Sequence, residues 1–183
     1  FEGGASALLS AVFANGVDKI VNVGTNTANS LEAVKMASQY EGMYAAVGIH
    51  PSDIDEEDSL ETAIANLRAL LDKREEYKIV ALGEIGLDYY WRQDNKEEQM
   101  KFLEAQLALA EEYSIPVIIH DREAHGDCFE MALKYPNVKG IFHVFSKIFR
   151  VCRAFFWISC RNSSRESNFF SGRRNWKKVK YTR

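Results

Sequence analysis

Cysteine is scarce in this chain of 183 residues, which contains only Cys128, Cys152 and Cys160. An odd number of cysteines without C-x-x-C spacing argues against a disulfide framework and against a structural zinc site. The default expectation is a protein of a reducing compartment, and we predict a cytoplasmic location.

The sequence also lacks long apolar runs. No stretch approaches the roughly 18 consecutive apolar residues that indicate a membrane span, and the first residues lack the basic segment and apolar stretch of a secretory signal. We therefore predict no membrane association, and no obligate protein partner is evident. The length predicts a single domain or slightly more. Because the chain does not begin with methionine, we expect native sequence before Phe1.

Basic residues are few before residue 147, and acidic residues are nearly absent after it. Residues 1–146 contain 12 Lys and Arg against 25 Asp and Glu, a formal net charge of −13. Residues 147–183 contain 11 basic residues and one acidic residue, a net charge of +10, and they show no sustained apolar periodicity. We therefore predict a folded portion over residues 1–146 and a divergent basic tail over residues 147–183, either disordered or read in a shifted frame.

Helix-type and strand-type segments alternate along residues 1–146, as expected of repeated βα units around a parallel sheet. Each predicted strand is nearly continuous in apolar residues, which is typical of strands covered on both faces. The predicted strands span residues 17–24, 44–49, 79–82, 115–119 and 138–144. Helices are predicted over residues 7–15, 29–40, 58–70, 94–110 and 129–133, the third and fourth opening with capping boxes at Asp58 and Asp94. The fold class is α/β, and a barrel and a doubly wound sheet both fit the pattern.

Four side chains with metal-binding chemistry follow directly after apolar strand segments. They are His50, Glu84, His120 and His143. Parallel strands present their carboxyl ends to one rim, where barrel enzymes assemble their active sites. Imidazole nitrogen and carboxylate oxygen from separate strands are the ligands expected for Zn²⁺, Mn²⁺ or similar hydrolytic metals. The pattern indicates activation of a bound water.

Each of these residues also has a simpler interpretation. A single histidine at a strand end is more often a hydrogen-bonded structural residue than a ligand, and Glu84 could pair with Arg122 or with a lysine. Arg122 itself could hold a phosphate bidentately or form a salt bridge to Glu84 or Asp121. His125 lies in a predicted loop, where it has a structural or peripheral role. The four strand-end placements together favour a common site.

Four segments resemble the signature blocks of the TatD family, in order and at family-like spacing. They read VGIHPSD (47–53), GEIGLDYYW (83–91), IPVIIHDREAHGD (115–127) and GIFHVFS (140–146). The resemblance covers about residues 5–146. It implies a partial (β/α)8 TIM-type barrel of the amidohydrolase-like group and a divalent-metal-dependent deoxyribonuclease.

The same resemblance implies roles for the strand-end residues. Glu84 would be the catalytic carboxylate and would bridge two divalent metal ions, with His120 and His143 each binding one of them. The ions would be Mg²⁺, with Mn²⁺ or Zn²⁺ as alternatives. The residues implied to line the substrate cleft are His50, Asp88 and Arg122.

Parts of the family pattern are absent from this sequence. No His-x-His pair precedes residue 48, no E-T-D-like block follows the last strand, and Lys147 stands where the family has glycine in F-S-G. A typical barrel takes about 250 residues, so the first and last strands, and with them the seventh, are missing or unrecognisable.

Three functions fit these observations. The first is hydrolysis of DNA, in the 3′→5′ direction by family resemblance. The second is a metal-dependent amidohydrolase acting on a small molecule, since a fold does not determine a substrate. The third is a non-catalytic fragment whose basic tail, with Trp176 among its Lys and Arg residues, binds nucleic acid.

We predict that residues 147–183 arose from a reading-frame change just after Ser146, because the last family block stops within its motif and the charge reverses at the same point. Translating the coding DNA in its other two frames beyond Ser146 checks this. One frame should show a glycine-rich strand followed by an E-T-D-like block, and the idea is abandoned if neither does.

Overall fold

The computed structural model describes residues 4–143, which form five α-helices alternating with five strands. The helices are α1 (Gly4–Ala14), α2 (Thr27–Gln39), α3 (Leu60–Leu71), α4 (Lys96–Tyr113) and α5 (His125–Lys134). The strands are β1 (Ile20–Val23), β2 (Met43–Val47), β3 (Ile79–Asp88), β4 (Val117–Arg122) and β5 (Gly140–His143), and a short 3-10 turn, Ile54–Glu56, precedes α3. The predicted tail, residues 147–183, lies outside the described residues.

The order of the strands identifies the fold. All neighbouring strands pair in parallel, and the order across the sheet is β1-β2-β3-β4-β5, the same as along the chain. A doubly wound sheet reverses its strand order at a switch point, whereas a (β/α) barrel adds each strand beside the previous one. The prediction of a partial TIM-type barrel of parallel strands is therefore confirmed, and the doubly wound alternative is wrong.

The third strand is longer than the apolar pattern predicts. It spans Ile79–Asp88 instead of residues 79–82. Gly83 and Gly86 interrupt the apolar pattern, yet both lie where β3 approaches β4 closely. A Cβ added at these positions would lie 2.7 Å and 2.0 Å, respectively, from atoms of β4. Glu84 is consequently inside a strand and not beyond its end.

Two predicted helix starts are wrong. Ser59, not Asp58, caps α3, and its side chain accepts a hydrogen bond from the backbone N–H of Thr62. Asn95 precedes α4 without a side-chain capping bond, so Asp94 forms no capping box there. A serine hydroxyl one residue further along serves the same purpose as the predicted carboxylate, and the apolar periodicity could not distinguish the two.

The core lies between the sheet and the inner faces of the helices. Buried side chains recur on α2, α3, α4 and α5 at intervals of three or four residues, as expected of an amphipathic helix. On α3 and α4 the apolar ones are Ala63, Leu67, Leu70, Leu71, Phe102, Leu103, Leu107, Leu109 and Ala110. Within residues 4–143, no helix has the length and apolar character needed to cross a bilayer.

Replacing Leu103 with alanine should lower the free energy of unfolding by about 2–5 kcal/mol, because the side chain is fully buried against the sheet and its removal leaves a cavity. Urea unfolding followed by circular dichroism measures the change. The matched control is Leu31→Ala on the half-exposed face of α2, which should shift stability by less than about 0.5 kcal/mol. Equal effects of the two substitutions would contradict the placement of α4.

Candidate metal centre

The candidate side chains lie in the second half of three neighbouring strands, β3, β4 and β5. Parallel pairing places Gly86 opposite His120, and His120 opposite His143. Because side chains alternate along a strand, Glu84 and Asp88 lie on the same face of β3 as Gly86. The register therefore brings both carboxylates beside the imidazole of His120, where Gly86 contributes no side chain of its own.

Glu84 is the centre of this group. Its Oε1 atom lies 3.0 Å from Nδ1 of His120 and 2.8 Å from Nδ1 of His143. The other ring nitrogen of His120, Nε2, lies 3.0 Å from Oδ2 of Asp88. The four side chains thus form a continuous row, in which His120 is held between two carboxylates and Glu84 between two imidazoles.

His50 reaches the same place from the loop after β2. Its ring meets the ring of His120 edge to face, with centroids 4.3 Å apart. Potential ligand atoms of His50, Glu84 and His120 all lie within 4.8 Å of one another. His143 touches Glu84 but is 60% exposed, and it lies outside this tighter group. The structure therefore brings together all the predicted metal-binding residues and adds His50 as a neighbour of Glu84 and His120.

The ionisation of the group follows from these contacts. Burial opposes the charge on Glu84, but the hydrogen bonds with His120 and His143 outweigh it and lower the pKa of the carboxyl group to about 2. Burial favours the neutral form of His120 as well, yet its bonds to Glu84 and Asp88 raise its pKa. Burial, and then the neighbouring His120, lower the pKa of His50. The site therefore combines the anionic carboxylate of Glu84 with the neutral imidazole of His50.

The donor set fits a divalent cation. Within residues 4–143, Glu84 and Asp88 form ion pairs with histidines alone, and neither pairs with a lysine or an arginine. The alternative of a Glu84 salt bridge to Arg122 or to a lysine is therefore not found in this part of the chain. Buried carboxylates need a counter-charge, and carboxylate oxygen with imidazole nitrogen is a set that binds divalent metals.

Arg122 does not point at these carboxylates. Its guanidinium group lies 4.0 Å from the ring centroid of Tyr90 and 5.2 Å from that of Trp91. Among the described residues it has no salt bridge to Glu84 or Asp121, which was the simpler interpretation of its position. The phosphate-binding role of Arg122 stays a prediction.

His125 was placed in a loop, and this prediction is wrong. It is the first residue of α5, and its Nδ1 lies 2.8 Å from Oδ2 of the fully buried Asp121. The helix starts earlier than expected because residues 125–128 carry few of the apolar side chains from which helices were predicted. The Asp121–His125 contact joins the end of β4 to the start of α5.

Two buried glutamines on α4 support the site and were missed in the sequence. Oε1 of Gln106 accepts the backbone N–H of Ile49 at 2.8 Å, and its Nε2 donates to the carbonyl oxygen of Ile49 at 3.1 Å. Gln99 makes the same pair of contacts with the backbone of Asp88, at 2.8 and 3.3 Å. Their seven-residue spacing on the apolar face of a predicted helix was a usable signal, because a polar residue at a core position needs a specific partner.

Comparisons with known proteins agree with one another. The family model described as TatD related DNase matches residues 1–179. The uncharacterized metal-dependent hydrolase YjjV of Escherichia coli (strain K12) is 35% identical over 148 residues, covering 80% of this chain and 56% of that protein. The 3'-5' ssDNA/RNA exonuclease TatD of Shigella flexneri serotype 5b is 34% identical over 118 residues, covering 64% of this chain and 44% of that protein. The chain spans about half the length of these curated relatives.

A solved structure shows the same similarity. The crystal structure of YJJV, a TATD homolog from Escherichia coli K12, matches with a TM-score of 0.76 at 28% sequence identity. The match covers 86% of this chain and 61% of that one. The fold is thus shared with a protein of known structure.

Calorimetric titration with Mn²⁺ or Zn²⁺ should detect binding that depends on Glu84. Replacement of Glu84 by glutamine keeps the size of the side chain and removes its charge, so affinity should fall by more than about tenfold, the usual minimum loss even for residues that only support a ligand. A triple alanine variant at Glu84, His120 and His143 should bind the metal no more tightly than the Glu84→Gln variant does.

The matched control is Glu104→Gln, which removes a half-exposed carboxylate on the outer side of α4. It should bind metal as the parent does. If the triple variant retains the metal affinity of the parent, the group formed by Glu84, His120 and His143 is not the binding site.

Proposed function

Since the chain belongs to the TatD related DNase family, we propose that it hydrolyses phosphodiester bonds in DNA, as a divalent-metal-dependent 3′→5′ exonuclease. The observation that carries the proposal is the position of Glu84, whose one oxygen atom lies within 3.0 Å of imidazoles from two different strands. The name of the Shigella relative, a 3'-5' ssDNA/RNA exonuclease, supports the choice of substrate and direction.

Glu84, His120 and His143 would hold the metal. Glu84 lies between the two imidazoles, so its carboxylate would be available to ions held by either histidine. Mg²⁺ is the expectation from the family, while two imidazole ligands favour Mn²⁺ or Zn²⁺, because Mg²⁺ prefers oxygen ligands. When bound, divalent cations neutralise charge on the phosphodiester and activate a water molecule.

Asp88 orients the ligand set. Its Oδ2 atom holds Nε2 of His120, which fixes the ring between the ends of β3 and β4. Metal-binding histidines commonly pass their second nitrogen to a carboxylate in this way, and the contact both orients the ring and increases its basicity. Gln99 in turn holds the backbone of Asp88 in place. Asp88 therefore serves the site through His120.

His50 is better suited to bind substrate than metal. The backbone N–H of Ser52 donates to Nδ1 of His50 at 3.1 Å. A neutral ring that accepts at Nδ1 carries its proton on Nε2, and burial keeps this ring neutral by lowering its pKa. The Nε2–H group can then donate to a phosphate oxygen held beside Glu84.

A small-molecule substrate is the second candidate, because the described part of the chain is strongly acidic. Residues 4–143 contain 12 basic and 24 acidic residues, a formal net charge of −12. Such a surface repels a long polyanion and makes DNA binding depend on the metal ions and on local contacts. A substrate carrying a single charged group would meet less repulsion.

The purified chain should release nucleotides from single-stranded DNA slowly, only with added Mg²⁺ or Mn²⁺, and not after Glu84→Gln. The rate should be low because the sequence contains neither the His-x-His pair nor the E-T-D-like block, and each such loss costs on the order of 10²–10⁴ in rate. Gel analysis of 5′-labelled oligonucleotides, with and without a blocked 3′ end, measures both rate and direction.

Glu104→Gln is again the control and should leave the rate unchanged. Fast hydrolysis that Glu84→Gln abolishes would show that the absent blocks are dispensable. Hydrolysis that survives Glu84→Gln would contradict the proposed centre itself.

A further inference from the structure

An exposed pair of aromatic rings lies directly after β3. Tyr90 is 54% exposed and Trp91 is 66% exposed, and their rings meet edge to face with centroids 4.7 Å apart. The guanidinium group of Arg122 lies over the Tyr90 ring at 4.0 Å. Together they form a surface of aromatic faces and one cation, which we call the rim platform (Tyr90, Trp91 and Arg122).

The turn that carries the rim platform is firmly held. The Oδ1 atom of Asp88 accepts hydrogen bonds from the backbone N–H groups of Tyr90 and Trp91, both at 3.0 Å. Gln99, buried on α4, donates to the carbonyl oxygens of Asp88 and of Arg92 at 3.3 and 3.0 Å. Exposed aromatic rings on a turn fixed at both ends are presented in a constant orientation, which lowers the entropy lost when a ligand packs on them.

Asp88 joins the rim platform to the metal centre. One of its oxygens holds the platform turn, and the other lies 3.0 Å from Nε2 of His120. Arg122 lies two residues beyond His120 on β4, a distance of roughly 7 Å at the rise of a strand. A group bound at Glu84 and His120 is therefore about one nucleotide unit from the aromatic faces.

The rim platform has the chemistry that binds an unpaired nucleobase. Aromatic rings stack on any base through its π face, and an arginine adds both a flat cation and a partner for phosphate. With a net charge of −12, residues 4–143 have little general attraction for phosphates. Stacking is a source of affinity that this charge does not oppose.

We propose that Tyr90, Trp91 and Arg122 form a subsite that stacks an unpaired DNA base beside the metal centre, so that the protein selects single-stranded ends. This proposal rests on the proposed function for its substrate. It adds a base-binding subsite, with Trp91 as the most exposed stacking surface and Arg122 in contact with both rings.

Binding without metal tests the subsite separately from hydrolysis. Fluorescence anisotropy of a labelled oligothymidylate of about ten nucleotides, a length typical of single-strand binding grooves, is measured in the presence of EDTA. An oligomer of the same length without bases is the second probe. The full chain should bind the thymidylate at least about tenfold more tightly than the abasic oligomer, and Trp91→Ala should remove most of that difference.

Two conservative variants and one control sharpen the result. Trp91→Phe should keep part of the preference for bases, because it retains a stacking ring. Tyr44→Ala removes an aromatic ring that also contacts a lysine, with Lys19 Nζ 5.6 Å from its centroid, but near the opposite end of the sheet. It should bind as the parent does. Arg122→Lys should weaken binding less than Trp91→Ala, since the charge remains.

The proposal is overturned if the parent binds both oligomers equally, if it binds neither, or if Trp91→Ala keeps the preference for bases. Metal-dependent hydrolysis of bis-p-nitrophenyl phosphate, a phosphodiester without a base, is assayed in parallel. If the parent chain does not hydrolyse this substrate but still prefers the thymidylate to the abasic oligomer, the proposed function is overturned and the subsite is supported. Hydrolysis that depends on Glu84, with no preference for the thymidylate over the abasic oligomer, would support the proposed function and overturn the subsite.

Discussion

The hydrogen bonds between Glu84 and two imidazoles are the interaction on which the rest of the site depends. A largely buried carboxylate is costly unless an opposite charge or donors compensate it. Here His120 and His143 supply the donors from two further strands, and the pKa of Glu84 falls to about 2 as a result. A stable anion at this point attracts a cation, and its hydrogen bonds also tie β3 to His120 of β4 and His143 of β5.

Helix α4 packs on the outer face of the sheet and holds the backbone at Ile49 and Asp88 in place. Gln99 and Gln106 are buried on the face of α4 that packs on the sheet, among leucine and phenylalanine side chains. Gln99 bonds both the N–H and the carbonyl of Asp88, and Gln106 bonds both of these groups of Ile49. A single rigid helix thereby sets the positions of the turns that carry His50 and the rim platform, and small shifts of such turns matter for chemistry.

Much of the fold was accessible from local patterns. Five apolar segments predicted five strands, and amphipathic spacing predicted the helices between them. Both predictions work because the pattern of apolar residues within a segment indicates which of its faces is buried. The largest error, in the length of β3, lies where a tertiary contact overrides the pattern. Gly83 and Gly86 hid the second half of β3, since their role is to let two strands approach closely. The predicted boundary at residue 146 stays a prediction, and the family model extends to residue 179.

The sequence by itself determined which polar side chains follow an apolar run, because the end of such a run is a local feature. His50, Glu84, His120 and His143 were found in this way. Only the tertiary structure decided which of them touch: that one oxygen of Glu84 meets two imidazoles, that His50 packs on His120, and that Arg122 lies on aromatic rings. These contacts follow from strand order and register, and a shift of one residue would send every side chain to the opposite face.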